Sequence, residues 1–203
     1  IDGDIKNKPA LSVVENAQKT FLYVQPNWFP EPWGLHPNFQ CHCPSESIES
    51  LNRMNNVFLW SFGGDSKYHD KWKEVAPVPL AFDSNSYVPV IDDNIKFDVC
   101  FIGGWANNGF DEKRKIMLEY FKEFKDSGLK CGFFINKSLT HKQENAILYN
   151  SKVTINIHDA YQRALGLDTN ERTFKSLGTN GILVSDNIRQ IRNLNLGVSI
   201  TES

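Results

Sequence analysis

The stretch from Val153 to Asp186 constrains the fold more than any other part of this chain. It begins with a short apolar run that contains Val153, Ile155 and Ile157, and it ends with a second run, Ile-Leu-Val, at 182–184. Short apolar runs bounded by polar or glycine residues are typical of buried parallel strands. The pattern therefore predicts a strand, a loop, a helix and a second strand, in that order.

Polar residues lie between the two predicted strands. Asn156, His158 and Asp159 come at the end of the first strand, and the predicted helix begins at about Thr169 or Asn170. In an open parallel sheet, ligands bind beyond the carboxyl ends of the strands. The start of a helix also offers free backbone N–H groups and a positive dipole end, which suit a phosphate group. We therefore expect the functional site in this stretch.

Strands and helices alternate along the rest of the chain as well. Apolar runs predict strands at 20–24, 56–62, 97–105, 130–135 and 198–200, and residues at helical spacing predict helices at 11–18, 44–54, 111–127, 141–150 and 186–193. This alternation predicts an α/β protein with a Rossmann-type, doubly wound parallel sheet. The polar segment 84–96 is the predicted linker. We expect a partial N-terminal α/β domain with this linker at 1–89 and a second domain at 90–203.

The composition predicts a globular chain and excludes some partners. The 203 residues are 40% hydrophobic, and 22 Lys and Arg side chains balance 24 Asp and Glu side chains to a net charge of -2. This balance gives no electrostatic reason to expect nucleic acid or an anionic membrane as a partner. The sequence also lacks an apolar run of the roughly 18 residues that a membrane span needs.

Cysteine content and spacing bear on the compartment and on metal binding. Four cysteines are too few for a dense disulfide framework, and Cys100 lies within an apolar run, so we expect free thiols and a cytoplasmic location. Cys41 and Cys43 are separated by His42 alone, whereas zinc ligands from one segment usually have two or more residues between cysteines. We therefore expect no metal. Because the chain begins at Ile1 rather than methionine, we also expect further domains of a longer parent chain.

A family resemblance rests on the same central stretch. Its pattern is N-x-H, then N-x-R-x-F, then a turn of small residues and G-x-x-x-x-D. The residues that carry it are Asn156, His158, Asn170, Arg172, Phe174, Gly178, Gly181 and Asp186. This pattern resembles the donor-binding half of GT-B glycosyltransferases, and in particular the CgeB-like branch with its C-terminal domain of the "glycosyl transferases group 1" type. Residues 78–89 and 97–105 resemble the crossing segment and the first strand and turn of that domain.

Two positions depart from the pattern of many retaining members of this family. Those members place a glutamate directly after the phenylalanine of the helix, where it holds the donor ribose, and a second glutamate eight positions earlier. In this chain the two positions are Lys175 and Leu167. The sequence therefore leaves open whether the sugar's configuration is retained or inverted.

The resemblance implies that Arg172 contacts the diphosphate of a nucleotide sugar. A cation in the first turn of a helix opposes the helix dipole unless an anion binds there, and a guanidinium can contact phosphate oxygens in a bidentate manner. An ion pair with Asp168 or Glu171 is the alternative. The other donor-binding residues that we expect are Gly103, Gly104, Trp105, Arg114, Lys137, Asn170 and Thr173.

Several of these roles have alternatives. Gly103-Gly104 gives the backbone room to approach a phosphate, but the same residues also suit a tight turn. Either Lys113 or Arg114 can reach the diphosphate from the start of the next predicted helix. His158 and Glu171 are the candidate catalytic residues, although a histidine at a strand end can equally bond to its own loop.

The resemblance implies a metal-independent GT-B glycosyltransferase. It moves a sugar from a nucleotide diphosphate sugar, its co-substrate, to an acceptor hydroxyl on a glycan or glycoconjugate, and it needs no other cofactor. The alternative is a non-catalytic nucleotide- or sugar-binding module, or a fragment of a larger glycosyltransferase. A Rossmann-type epimerase is a third possibility, but the sequence lacks a complete glycine fingerprint and a Tyr-x-x-x-Lys pair.

Overall fold

The computed structural model describes residues 8–23, 45–62, 69–105, 112–166, 169–179 and 181–201. It confirms the α/β class, with two sheets in which every strand pairing is parallel. The chain divides into two compact units. The first comprises Ile1–Pro79 and Ala164–Asp168, and the second comprises Leu80–Arg163 and Thr169–Ser203.

Within its described residues, the first unit contains a three-stranded sheet and two α-helices. Its elements are α1 (Lys8–Asn16), β1 (Thr20–Tyr23), α2 (Ser45–Asn52), β2 (Val57–Ser61), a 3-10 turn (His69–Lys71) and β3 (Val75–Pro77), and the strand order is β1-β2-β3. Alternate strand residues such as Leu22 and Leu59 are buried against Val14 of α1 and Leu51 of α2. This alternation follows from the two-residue period of a strand.

The second unit contains a five-stranded sheet with the order β5-β4-β6-β7-β8. Its elements are β4 (Phe97–Gly103), α3 (Glu112–Lys125), β5 (Cys131–Ile135), α4 (His141–Tyr149), β6 (Ser151–Asn156), most of α5 (Ala160–Leu165), α6 (Glu171–Gly178), β7 (Ile182–Asp186), α7 (Arg189–Leu194) and β8 (Ser199–Thr201). The chain passes from β4 to β5 on one side and then returns to β6 on the other side. The strand order therefore reverses between β4 and β6, as in a doubly wound sheet.

Both faces of this sheet carry a hydrophobic core. Phe101 of β4 packs with Met117 of α3, whereas the neighbouring residue Cys100 packs on the other face with Ile147 and Leu148 of α4. Strands buried on both faces need continuous apolar sequence, and β4 has such a sequence at 99–102.

Two features differ from the sequence predictions. The division between the units falls after Pro79 rather than Pro89, because the predicted linker contributes Tyr87 to the core of the second unit, where its hydroxyl donates to Glu144 Oε2 at 2.6 Å. The short helix α5 occupies part of the predicted loop between β6 and α6. The predicted Cys41-His42-Cys43 segment lies outside the described residues. Within the described ranges, no helix is long and apolar enough to cross a membrane.

Candidate functional site

The switch point between β4 and β6 brings the predicted site residues to one edge of the sheet. Gly103 ends β4, Asn156 ends β6, and His158 lies two residues farther along. Arg172 reaches this edge from the first turn of α6. Parallel strands end on the same edge, so three separate segments of sequence meet here.

The side chain of Arg172 crosses both strand ends. Its Nε donates to the carbonyl oxygen of Ile102 at 2.6 Å, and its Nη1 donates to Asn156 Oδ1 at 2.5 Å. The guanidinium also lies 5.2 Å from the ring centroid of Phe101. Burial lowers the pKa of Arg172, yet an arginine remains charged in proteins. These two bonds use two of its five N–H groups.

Of the two ion-pair partners considered for Arg172, the structure describes only Glu171. Glu171 Oε1 instead pairs with Lys175 Nζ at 3.0 Å. Asp168, the other candidate partner, lies outside the described residues. Among the residues that the structure describes, Arg172 forms no ion pair within 4.0 Å.

Gly103 makes room for this arginine. A Cβ atom at position 103 would lie 2.5 Å from Nη2 of Arg172 and 3.0 Å from its Cζ, both shorter than normal contact distances. A Cβ at Gly104 would likewise lie 2.9 Å from Oδ1 of Asn136. The two glycines therefore allow side chains from α6 and from the end of β5 to lie against the turn after β4.

Lys113, rather than Arg114, is the buried cation at the start of α3. Its Nζ pairs with Asp159 Oδ1 at 2.8 Å, and its side chain is only 6% exposed. Burial lowers the pKa of Lys113, and the positive charge of Arg172 lowers it further, while Asp159 opposes both effects. Arg114 is exposed, and its guanidinium lies 4.8 Å from the ring centroid of Trp105.

His158 is entirely buried, and both of its ring nitrogens have partners. Nδ1 lies 2.6 Å from Asp186 Oδ1, and Nε2 lies 2.8 Å from Thr169 Oγ1. Burial lowers the pKa of His158, against the opposing effect of Asp186. Burial would raise the pKa of Asp186, but hydrogen bonds from the ring and the backbone N–H of His158 lower it below its ordinary value. These contacts favour the alternative in which His158 forms hydrogen bonds within the protein rather than with a substrate.

Asn156 lies between the His158–Asp186 pair and Arg172 in the hydrogen-bond network. Its Nδ2 donates to Thr173 Oγ1 at 2.9 Å, and its Oδ1 accepts from Arg172 and from Asn170 Nδ2. Thr173 Oγ1 lies 2.7 Å from Thr169 Oγ1. Thr173, a predicted donor contact, is therefore buried within the network.

The start of α6 has no side-chain cap. Asn170 occupies the predicted N-cap position, but its amide donates to Asn156 instead of accepting from the first turn. Its Oδ1 is buried and has no hydrogen-bond donor among the described residues. The contrast with α4 is clear, because Thr140 and Gln143 form the complete capping box there.

Lys175, one of the two residues that depart from the resembled pattern, forms ion pairs with two glutamates. Lys175 Nζ lies 3.2 Å from Glu144 Oε2 and 3.0 Å from Glu171 Oε1. Burial opposes its charge, but Tyr87 and the two glutamates together raise the pKa of Lys175. Glu171, the second candidate catalytic residue, has a side chain that is 70% exposed.

Some site residues were not predicted from the sequence or have little contact with the network. Gln190 of α7 accepts the backbone N–H of Thr169 at 2.6 Å, and no motif in the sequence indicates this bond. The four-residue spacing of Thr169 and Thr173 at the start of the helix is a sequence signal that could have indicated their contact. Lys137 is exposed and follows Asn136, which has a positive φ of 52°.

The sequence matches no protein-family model, and no curated protein is similar to it at a significant level. Among the described residues, His, Cys, Asp and Glu side chains form no group of three or more that could hold a metal ion.

Proposed function

We propose that this chain contains the donor site of a GT-B glycosyltransferase, which moves a sugar from a nucleotide diphosphate sugar to an acceptor hydroxyl. The observation that carries the proposal is the placement of Arg172 across the switch point, against Gly103, with three N–H groups that no described residue accepts. Ligands of doubly wound sheets bind at this point.

The charge distribution supports an anionic ligand. Arg172 and Lys113 lie close enough for one positive charge to lower the pKa of the other, and Asp159 is the carboxylate paired with Lys113. Like charges held together in a partly buried site are stabilised when an anion binds between them. The uncapped first turn of α6 adds backbone N–H groups and a positive dipole end.

The proposed catalysis is mainly electrostatic. Arg172 and Lys113 would stabilise the negative charge that develops on the leaving diphosphate. Glu171 is the exposed carboxylate next to this arginine, and it is the group that we propose to act on the acceptor hydroxyl. His158 does not contact solvent, so we assign it no direct contact with the substrate.

The proposal is tested by calorimetry with UDP, GDP, CDP, dTDP and ADP. We expect one nucleoside diphosphate to bind the wild-type protein and to bind Arg172→Ala at least tenfold more weakly. The matched control is Arg192→Ala, which removes an exposed arginine of α7. Absence of binding for all five compounds, or equal binding by Arg172→Ala, would contradict the proposed donor site.

A non-catalytic binding module is the second candidate, and Lys175 favours it. The family resemblance places a ribose-binding glutamate at this position, whereas Lys175 is engaged with Glu144 and Glu171. Incubation with the sugar derivative of the nucleotide that binds separates the two candidates. Release of the nucleoside diphosphate, lost in Glu171→Gln, supports the enzyme, and binding without release supports the module.

A further inference from the structure

A chain of five hydrogen bonds connects Arg172 to Asp186 across the switch point. Its members, in order, are Arg172 Nη1, Asn156, Thr173 Oγ1, Thr169 Oγ1, His158 and Asp186 Oδ1, with donor–acceptor distances of 2.5, 2.9, 2.7, 2.8 and 2.6 Å. The four members between the two ends are at most 1% exposed. Water therefore does not compete for these bonds.

The Asp186 end sets one direction for every bond. An ionised carboxylate only accepts, so His158 Nδ1 carries the proton and donates to Asp186. In the neutral ring Nε2 is then an acceptor, and Thr169 must donate to it. Thr169 has used its only proton, so Thr173 donates to Thr169 and accepts from the amide nitrogen of Asn156.

The Arg172 end requires the same direction. A guanidinium only donates, so the amide of Asn156 must present Oδ1 to Arg172 and Nδ2 to Thr173. Asn170 Nδ2 also donates to this oxygen at 3.1 Å. The cation at one end and the anion at the other thus require the same orientation of every group between them. Hydrogen bonds aligned in this way polarise one another.

We propose that His158 and Asp186 are positioning residues: through the Nδ1–H tautomer of His158 they orient Thr169, Thr173 and Asn156, and so hold the guanidinium of Arg172 at the ligand site. The tautomer of His158 and the restricted motion of the Arg172 side chain are properties of the protein without a ligand. The consequence for ligand binding rests on the function proposed above.

Asp186→Asn is the variant that reverses the chain. Asp186 accepts the backbone N–H of His158 at 3.1 Å as well as its ring N–H. An asparagine has one oxygen. The backbone N–H lies 3.1 Å from Oδ2 and 3.3 Å from Oδ1, so when the asparagine oxygen takes the Oδ2 position, the amide nitrogen faces Nδ1. The ring is then forced into the Nε2–H tautomer, which cannot accept from Thr169. Asp98→Asn is the matched control, because Asp98 also accepts a backbone N–H and pairs with a basic side chain, Lys152.

The first measurement is nitrogen NMR of the His158 ring and of the Arg172 guanidinium in the free protein. We expect Nδ1–H in the wild-type protein and in Asp98→Asn, and Nε2–H with faster Arg172 side-chain rotation in Asp186→Asn. An Nε2–H ring in the wild-type protein, or an unchanged Arg172 signal in folded Asp186→Asn that has the Nε2–H ring, overturns the proposal.

A second pair of variants covers the cases in which Asp186→Asn does not fold or keeps the Nδ1–H ring. Thr173→Val removes the hydroxyl at nearly constant volume, whereas Thr173→Ser keeps it. We expect Arg172 to gain mobility in the valine variant alone and inorganic pyrophosphate to bind this variant about tenfold more weakly, which corresponds to about 1.4 kcal/mol. Equal Arg172 mobility in the two variants overturns the positioning role. If the wild-type protein binds neither pyrophosphate nor any nucleoside diphosphate, the proposed function fails, and the NMR readouts still decide the positioning role.

Discussion

The two edges of the five-stranded sheet use similar groups in different surroundings. At the carboxyl edge, Asp186 accepts the backbone N–H and the ring N–H of His158, and both residues are at most 3% exposed. At the amino edge, Asp98 accepts the backbone N–H of Lys130 at 2.9 Å and pairs with Lys152 at 2.7 Å, but these two side chains are 31% and 77% exposed. A cavity of about 390 Å³ lies beside this second pair.

Burial explains why one edge holds a network and the other holds separate pairs. Water screens the Asp98–Lys152 pair and can replace either partner, so such a pair contributes little to stability. A buried polar group has no such replacement, and losing its partner leaves the full desolvation cost. The groups around His158 therefore depend on one another, while those around Asp98 do not.

The largest difference that we expect is between alanine substitutions of the two aspartates. Asp186→Ala leaves two buried N–H groups of His158 without an acceptor, which costs about 3 kcal/mol of unfolding free energy. Asp98→Ala should leave the unfolding free energy unchanged, because its partners are solvated. Urea unfolding of both variants measures the difference, and equal losses would show that burial does not separate the two edges.

The glycines of the two edges should affect binding and stability in opposite ways. Gly103→Ala displaces the flexible end of Arg172, so we expect pyrophosphate binding to weaken at least tenfold with a stability change within about 1 kcal/mol. Gly132→Ala places a Cβ 2.9 Å from the rings of Phe97 and Phe134, and it should cost about 1–3 kcal/mol without affecting binding. Calorimetry and urea unfolding of both variants test this reversal, which would fail if Gly103→Ala bound pyrophosphate normally.

Acid should destabilise the carboxyl edge before the amino edge. The pKa of His158 is lowered in the folded state by burial and by the charges of Arg172 and Lys113, against the effect of Asp186. As the pH falls, the His158 ring therefore binds a proton in the unfolded chain before it does so in the folded protein. The free energy of unfolding decreases as the pH falls below about 6.5, with a slope of at most about 1.4 kcal/mol per pH unit. Urea unfolding between pH 7.5 and 5.5 measures this slope.

Two histidine variants test whether His158 causes this pH dependence of the unfolding free energy. His158→Gln should flatten the pH dependence, whereas His141→Gln, which removes an exposed histidine, should not. A slope that persists in folded His158→Gln would assign the effect to another group.

The smallest effect on stability is expected for the lysines. Lys113→Met relieves the repulsion with Arg172 and leaves Asp159, whose side chain is 38% exposed, accessible to water, so the unfolding free energy should change by less than about 1 kcal/mol. Pyrophosphate binding should weaken about tenfold, because one of its two cations is lost. Lys152→Met at the other edge should change neither quantity, and a binding loss there would contradict the proposed location of the ligand site.

Much of the architecture was predictable because local patterns and tertiary packing agree. The apolar runs at 97–105 and 130–135 became β4 and β5, and the helical spacing at 141–150 became α4. Tyr87 shows where this approach fails, since the polar residues around it predicted a linker although the side chain is only 4% exposed. Composition averages over a segment, whereas one aromatic ring is enough to anchor it.

The sequence by itself determined the parallel α/β class, the edge at which the candidate site lies, and the position of Arg172 in the first turn of a helix, because each depends on residue types and spacing along a short segment. The tertiary structure alone decided the rest. Lys113 rather than Arg114 is the buried cation, and His158 faces Asp186 rather than solvent. These outcomes depend on which side chains from distant segments exclude water from one another, and that exclusion arises only when β4, β6, α6 and β7 pack together.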